Sequence, residues 1–379
     1  MNVKITVSKT ELQNKLKAVS KVIKPSNLIQ EHNSFLFEVD KKLEVTGADE
    51  MGNITTIVEC TISEDANLSF LIDAKLLLDG LKELPEQPII LDIENNGKGK
   101  SYSIKLIHQS GVYNFTGIDS EGFSKVEVYD TEMTSIEMDA ALLISGIKKV
   151  FQFAGNDEIR PILTSVYIES RKGKLNFVST NTSTMAVYEC NPALPFQDFD
   201  LILPVKIAKI IADLLPGEET IELWITEKNV AVKTDNKAIH YRLLEGKYPN
   251  FRAIIPKGND KILNCNSDLI VSALRRTSIF ANRNSQLLIL QANNSTLEIS
   301  GKDMDLQNSA VEKITVSYSS SEPIEIGFKS DFLLKCLETV DTVEVSLSFS
   351  DPTRACLISP VEETGGKLTV LIMPMLVNV

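Results

Sequence analysis

Three histidines, His32, His108 and His240, are the side chains best suited to acid–base or metal chemistry near neutral pH. None stands in an HExxH arrangement or near a cysteine at the spacing of metal ligands. His108 and His240 fall within alternating strand patterns, so we expect both on the surface of a sheet rather than in a catalytic site. The sequence therefore predicts no metal and no cofactor.

The cysteines at positions 60, 190, 265, 336 and 356 are far apart and include no CxxC pair. This spacing favours neither a disulfide framework nor a zinc site and fits a reducing compartment, so we expect a cytoplasmic protein. No apolar run approaches the roughly 20 residues that cross a bilayer, and the first residues show a strand pattern instead of a signal peptide. We expect no membrane partner.

Gly99-Lys100-Ser101 resembles the end of a phosphate-binding loop, which would indicate a nucleotide site. That loop needs a glycine where this chain has Glu94, and a helix where a strand pattern follows. A hairpin turn is the better interpretation. No GxSxG or GxGxxG motif occurs, and nothing in the sequence pairs two of the abundant carboxylates. We therefore predict a protein that is not an enzyme.

The remaining groups with obvious chemistry are cations, and they gather on predicted helices. The first helix, predicted over Ser8–Lys24, has Ser8 and Glu11 at capping-box spacing and ends before Pro25. Its lysines are spaced by four and three residues and so share one face: Lys17, Lys21 and Lys24. A β-hairpin follows this helix, so the first unit reads strand, cationic helix, hairpin.

This unit occurs three times. The second strands of the three hairpins are similar and lie about one domain length apart: Leu43–Asp49, Leu175–Asn181 and Leu297–Asp303. Helices predicted to be capped by Asp139 and Ser267 precede the later hairpins, and a second helix is predicted in each unit, over 74–84, 205–215 and 330–340. We predict an α+β fold with three repeated domains, 1–124, 125–258 and 259–379, each with two helices on antiparallel sheets.

The net charge of −12 argues at first against a nucleic-acid partner. The predicted helices, however, carry a net positive charge, so the acidity lies on strands and loops. One interpretation is that solvated helix faces simply favour lysine. The other is a local positive surface, suited to DNA, on an otherwise repulsive body.

Motifs along the whole chain resemble the bacterial DNA polymerase III beta subunits, the DNA sliding clamps. The similar segments are Ser8–Lys24, Leu43–Asp49, Glu158–Thr164, Ser179–Val187, Tyr248–Pro256, Glu325–Phe328 and Leu371–Met375. The resemblance implies three sliding-clamp (DNA clamp) domains in each subunit and a head-to-tail homodimer, whose six domains form a ring with the helices around its hole. It implies a non-catalytic function, in which the ring encircles double-stranded DNA without sequence specificity and tethers the replicative polymerase for processive synthesis.

The resemblance also implies three sets of site residues. The DNA-facing set is Lys17, Lys21, Lys24, Lys148, Lys149, Arg160, Lys206, Lys209, Arg276 and Arg283. The dimer interface would join Ile279 and Phe280 of one subunit to Tyr113 and Phe115 of the other. A pocket for partner peptides would be formed by Leu163, Thr180, Thr182, Met185, Pro249, Ile254, Met373, Pro374, Met375 and Leu376.

The partners implied are the polymerase III catalytic subunit, the clamp loader and other replication and repair proteins with a clamp-binding motif. The family usually has Gly, an aromatic residue or His, and Arg where this chain has Thr182, Ser183 and Thr184. It often has Arg where Ala253 and Leu376 stand. We therefore expect a less cationic pocket with an altered peptide preference.

Two other functions stay open from the residues alone. The first is an enzyme with an unrecognised carboxylate site, such as a hydrolase, against which the scarcity of histidines and metal ligands argues. The second is a repeat protein that binds only other proteins. That alternative would hold if the six predicted helices did not face one common concavity.

Overall fold

The computed structural model describes residues 2–24, 29–64, 66–95, 101–127, 133–157, 159–191, 196–363 and 365–377. Pro25, Glu158 and the 99–100 part of the turn that resembles a phosphate loop lie outside the described residues. Within the described ranges the α-helices are α1 (Lys9–Ser20), α2 (Ala74–Lys82), α3 (Ala140–Val150), α4 (Val205–Leu214), α5 (Phe251–Ile254), α6 (Ser267–Ser278) and α7 (Ser330–Thr339). Short 3₁₀ turns occupy Gln30–Asn33, Phe151–Phe153 and Pro161–Thr164.

The largest sheet is antiparallel and has thirteen strands, in the order β10-β15-β16-β17-β4-β3-β2-β6-β9-β8-β7-β1-β5. Its strands are β1 (Asn2–Ser8), β2 (Ser34–Val39), β3 (Leu43–Ala48), β4 (Gly52–Val58), β5 (Thr61–Ile62), β6 (Leu68–Asp73), β7 (Pro88–Asn95), β8 (Ser101–His108), β9 (Gly111–Asp119), β10 (Thr134–Asp139), β15 (Thr220–Ile225), β16 (Asn229–Lys233) and β17 (Lys237–Arg242). This sheet combines strands from the first predicted domain, 1–124, with strands from the second, 125–258. They join through the β4–β17 pairing, in which Ile54 lies opposite Ile239.

A second antiparallel sheet has nine strands, in the order β14-β11-β12-β13-β26-β25-β24-β18-β22. These are β11 (Ser165–Arg171), β12 (Lys174–Thr180), β13 (Thr184–Cys190), β14 (Phe199–Pro204), β18 (Lys261–Asn266), β22 (Ser317–Tyr318), β24 (Glu344–Phe349), β25 (Cys356–Pro360) and β26 (Lys367–Ile372). A four-stranded sheet, in the order β21-β20-β19-β23, contains β19 (Leu287–Asn293), β20 (Thr296–Asp303), β21 (Asn308–Thr315) and β23 (Ile324–Lys329).

The chain divides into two compact units. The first contains Met1–Ile144 and Ile210–Leu243, and the second contains Ser145–Lys209 and Leu244–Val379. The units follow the continuity of the sheets, because ladder hydrogen bonds tie strands together more closely than position in the sequence does. The domain boundaries 1–124, 125–258 and 259–379 are not tested by this division and stay a prediction.

The helices begin where side chains accept hydrogen bonds from unpaired backbone N–H groups. Ser8 Oγ accepts from Glu11 N at 3.3 Å and Asp139 Oδ1 accepts from Ala141 N at 2.7 Å, which confirms both predicted caps. The expected return bond of the capping box is wrong, because the Glu11 carboxylate accepts from Glu59 N instead. The cap of α6 is Asn266, not Ser267, and it accepts from Leu269 N at 3.1 Å.

Each unit has its own apolar core. In the first, Phe37 stacks on Phe70 with ring centroids 5.5 Å apart, and Leu12 and Leu16 of α1 are fully buried. In the second, Phe177 lies against Gly146 of α3, where an added Cβ would come within 2.2 Å of the ring. Only glycine therefore permits the helix to pack this closely on the strand.

Candidate functional site

One face of the nine-stranded sheet carries an apolar patch at the junction of β13 and β26. Met185 lies opposite Leu371, and Val187 lies opposite Thr369. Leu357 of β25 is the next neighbour of Leu371 across the sheet. Because side chains alternate along a strand, these side chains share one face. Strands from distant parts of the chain therefore build one continuous apolar surface.

The segment 244–256 covers part of this patch. Its aromatic side chains and the sheet side chains beneath them make up what we call the outer-face cluster. The Tyr248 ring stacks on the Tyr167 ring with centroids 4.6 Å apart and planes 5° from parallel, and the Phe251 centroid lies 6.3 Å from Tyr167. The buried members of the cluster are Tyr167, Val178, Met185, Val187, Ile202, Tyr248, Phe251, Ala355 and Leu371. Burial raises the pKa of the Tyr167 hydroxyl above its usual value, so this group stays neutral at physiological pH.

A charged pair anchors the same segment to the sheet. Arg252 Nη2 donates to Glu169 Oε2 at 2.6 Å, and Glu169 is only 2% exposed. Arg171 Nε lies 3.3 Å from the other oxygen of that carboxylate. The Arg252 guanidinium also stands 4.4 Å from the centroid of the Phe251 ring. These contacts fix the segment 248–256, from which the predicted pocket takes Pro249 and Ile254.

A tight turn joins β12 to β13 at the edge of the patch. Thr182 has φ +77°, a backbone conformation that a β-branched residue rarely adopts. Asn181 Oδ1 accepts from Ser183 N at 3.0 Å and from Thr184 N at 2.8 Å, and Thr180 Oγ1 accepts from Thr182 N at 3.1 Å. This network of side-chain hydrogen bonds holds the turn in place.

The segment Met373–Leu376 follows β26 directly and stays close to both neighbouring sheets of its unit. Met373 N donates to Ser183 O, and Met375 N donates to Gly327 O, both at 2.8 Å. Met373 is 42% exposed and Leu376 is 77% exposed, while Pro374 and Met375 are half-buried. The backbone is therefore fixed, and the side chains remain accessible to a ligand.

The ten predicted pocket residues all lie in the second compact unit, but at different depths. Leu163, Thr180 and Met185 are buried, with Met185 only 2% exposed. Met185 therefore belongs to the floor of the patch, and its part in a peptide pocket stays a prediction. Pro249, Ile254, Met373 and Leu376 are exposed around it.

The aromatic residues Tyr248 and Phe251, which pack at the centre of this site, were not among the predicted site residues. Tyr248 and Phe251 pack on the sheet, whereas their predicted neighbours Pro249 and Ile254 face outward. The available signal was the three-residue spacing of two aromatic residues, of which Phe251 begins the short helix α5. Leu371 was also missed, although strand alternation places it on the same face as Met373.

Among the described residues, several of the predicted DNA-facing cations lie beside carboxylates. Lys21 Nζ lies 2.9 Å from Asp213 Oδ2, Lys24 Nζ 2.6 Å from Glu50 Oε2, Arg160 Nε 2.7 Å from Asp157 Oδ2, and Arg276 Nη2 2.6 Å from Glu312 Oε2. The Arg276 pair is bidentate, and it lowers the pKa of the Glu312 carboxyl. The pairs of Lys21, Arg160 and Arg276 are exposed and individually weak, whereas the pair of Lys24 is partly buried.

The structure corrects two helix assignments in this set. α1 ends at Ser20, so Lys24 lies beyond it. α6 ends at Ser278, so Arg283 follows the helix in a turn. Lys17 and Lys148 are exposed on α1 and α3, Lys149 and Lys206 are half-buried, and Lys209 Nζ stands 5.3 Å from the centroid of the Phe151 ring.

The proposed interface residues differ in exposure. Ile279 is 77% exposed, Phe280 42% and Tyr113 36%, as expected for apolar groups that a partner would cover. Phe115 differs from these three, because it is buried at 8% exposure on the single chain; its place at the interface stays a prediction. Its ring packs towards Gly80 of α2, within 3.9 Å of a Cβ built there.

The histidines also differ from expectation. His240 is buried at 8% exposure and is not a sheet-surface residue. Burial, with smaller effects from Lys233 and Lys125, lowers its pKa to about 4. Among the described residues, no group of three or more His, Cys, Asp or Glu side chains could hold a metal ion. Within the same ranges, no helix is both long and apolar enough to cross a membrane.

Comparison with protein families gives three consecutive matches. Residues 3–127 match the DNA polymerase III beta subunit, N-terminal domain; residues 137–250 match its central domain; and residues 252–376 match its C-terminal domain. Together these matches cover nearly the whole chain.

Individual proteins give the same result. A Beta sliding clamp of Haemophilus influenzae is 24% identical over 377 residues, covering 98% of this chain and 99% of that protein. One from Pseudomonas putida is 25% identical over 378 residues, with 98% and 99% coverage. Among solved structures, the Pseudomonas aeruginosa DnaN sliding clamp bound to griselimycin has a TM-score of 0.91 at 21% identity, with both chains fully covered. The Thermotoga maritima beta subunit has a TM-score of 0.88 at 22% identity, covering 99% of this chain and all of that one.

Proposed function

Because this chain belongs to the DNA polymerase III beta subunit family, the sliding clamps that give polymerases processivity without being enzymes, we propose that it works as a homodimeric ring around double-stranded DNA in the cytoplasm. The observation that carries the proposal is the succession of three family matches along one chain. Two such chains would supply six domains, with boundaries near 1–124, 125–258 and 259–379.

The ring would act by topology and not by a tight DNA contact. Lysines and arginines on or beside the helices would attract phosphates, and the net charge of −12 would keep DNA away from the remaining surface. Because no base contacts are needed, binding would be indifferent to sequence. A polymerase held on the ring would have a raised effective concentration at the primer end.

Retention on DNA tests this mechanism. The protein is loaded onto a nicked circle by a clamp loader, and its release is followed before and after the circle is cut once. We expect long retention on the circle and rapid loss from the linear form. Equal release rates would refute encirclement.

The polymerase catalytic subunit, the clamp loader and other partners would bind through short peptides at the pocket bordered by Ile254, Met373 and Met375. Methionine side chains are flexible and polarisable, and therefore suit a surface that accepts several peptides. A peptide with one or two apolar anchors and a glutamine should bind with roughly micromolar affinity. The absence of arginine at Ala253 and Leu376 should reduce the contribution of acidic peptide residues.

A peptide titration tests the pocket. Met375→Ala should weaken binding of a polymerase C-terminal peptide by about 1–2 kcal/mol, because it removes one wall. Met51→Ala, a methionine in the first compact unit, is the matched control and should leave the affinity unchanged. Equal affinity for wild type and Met375→Ala would show that partner peptides bind at another site.

A further inference from the structure

A cavity of about 430 Å³ opens beside the outer-face cluster, on the same face of the nine-stranded sheet. Val187, Phe251, Ile255 and Leu357 give it an apolar floor. Val187 and Phe251 also belong to the cluster, and Val187 is two residues from Met185, which is about 7 Å along a strand. The cavity therefore borders the proposed peptide pocket, and its volume suits a small ligand or a few peptide atoms.

An amide without a partner lines this cavity. Asn176 is only 2% exposed, and its Nδ2 has no hydrogen-bond partner among the residues that the structure describes. Glu169 and Glu189 lie opposite Asn176 on the two neighbouring strands, and both carboxylates already accept hydrogen bonds. Arg252 donates to Glu169, and Lys174 donates to Glu189 at 2.7 Å. A buried donor without an acceptor is costly, so a ligand that supplies an acceptor to Asn176 Nδ2 would be stabilised.

The charges around the cavity indicate a neutral ligand. Two carboxylates, Glu189 and Glu363, and two cations, Arg252 and Lys367, line it, and Glu189 lies opposite Lys367 in the strand register. The remaining polar groups are the hydroxyls of Ser348, Ser359 and Thr369. Neither an anion nor a cation would gain net attraction from such a balanced set.

We propose that this cavity is a second subsite, which takes a neutral amide of the same partner segment that fills the proposed peptide pocket. The amide, a peptide group or an Asn or Gln side chain, pairs with Asn176, and an apolar group next to it packs on Phe251 and Leu357. The subsite rests on the proposed function, since it extends the contact with partner peptides beyond the anchors at Met373 and Met375.

Two small probes test the chemistry of the cavity directly. N-acetylphenylalaninamide is neutral and carries two amides and a ring, whereas N-acetylphenylalanine differs by one carboxylate. With protein labelled by ¹⁵N, we expect the neutral probe to shift the Asn176 side-chain NH₂ signals with millimolar affinity and the acid to bind about tenfold more weakly. Asn176→Leu should abolish the binding, whereas Asn264→Leu, which alters another amide with an unpaired atom on β18, should not.

A competition experiment then tests the link to partners. A polymerase C-terminal peptide extended by several neutral residues on either side of its anchors should displace the neutral probe, whereas the short anchor peptide should not. Probe binding should survive Met375→Ala, so a failure of the peptide pocket would be recognised separately. No shift at Asn176, equal binding of the two probes, or no displacement by any extended peptide would overturn the second subsite.

Discussion

Replacing Thr182 by glycine should stabilise the second compact unit. Thr182 has φ +77° in the β12–β13 turn, and its side chain is exposed. The hydrogen bonds that define the turn come from the Asn181 and Thr180 side chains to backbone N–H groups, and glycine keeps all of them. The substitution therefore removes a strained Cβ and little else.

The size of the effect follows from two opposing terms. An L-residue in the left-handed region costs about 1–2 kcal/mol because of its Cβ. Glycine loses about 0.5–1 kcal/mol more backbone entropy on folding. The net gain should be about 0.5–1 kcal/mol, which raises the melting temperature of a unit of this size by roughly 1–4 °C.

Differential scanning calorimetry of wild type, Thr182→Gly and Thr182→Ala measures this gain. Alanine keeps the Cβ, and therefore the strain, so Thr182→Ala should melt with the wild type. If Thr182→Ala were stabilised as much as Thr182→Gly, or if neither differed from wild type, the strain argument would be wrong.

Three further predictions concern other parts of the chain. The pKa of His240 is lowered from 6.5 to about 4, so on acidification the unfolded chain binds a proton before the folded chain does. Urea unfolding should therefore show a free energy of unfolding about 2 kcal/mol lower at pH 5 than at pH 7. His240→Gln should lose this part of the pH dependence, and an unchanged pH dependence in that variant would contradict the prediction. Glu169→Gln should release Arg252 and lower the free energy of unfolding by about 1 kcal/mol. Backbone hydrogen exchange over residues 248–256 should become faster, and unchanged protection there would show that the pair does not anchor the segment. The double substitution Ile279→Asp with Phe280→Asp should give a folded monomer, measured by light scattering, because the dimer would bury unpaired charges. A wild type that is already monomeric at micromolar concentration would refute the proposed dimer.

The sequence predicted what local patterns control. The cap at Ser8 and hairpin strands such as Leu43–Ala48 depend on neighbouring residues, and the structure confirms both, although five of the six residues of that strand are buried. The cap of α6 was displaced by one residue, because Asn266 and Ser267 are adjacent and both are good capping residues.

Long-range burial could not be predicted in this way. His240 stands in an alternating strand, but strand alternation does not say which face of the thirteen-stranded sheet is covered. The packing of Phe115 towards α2 likewise depends on a residue distant in the sequence, Gly80. Pro249 and Ile254 were predicted by resemblance, whereas the packing of Tyr248 and Phe251 depends on Tyr167, which is far away in the sequence.

The pairing of β13 with β26 has a consequence for the order of synthesis. Roughly 180 residues separate the two strands, and a ribosome that adds about 5–20 residues per second needs about 10–40 s to make them. During that interval β13 has an unpaired edge, and the apolar side chains Met185 and Val187 lack their cross-strand neighbours. A nascent or truncated chain that stops before Lys367 would therefore be an aggregation risk and would lack part of the proposed peptide pocket. Under the proposed function, only a subunit whose nine-stranded sheet is finished would recruit a polymerase.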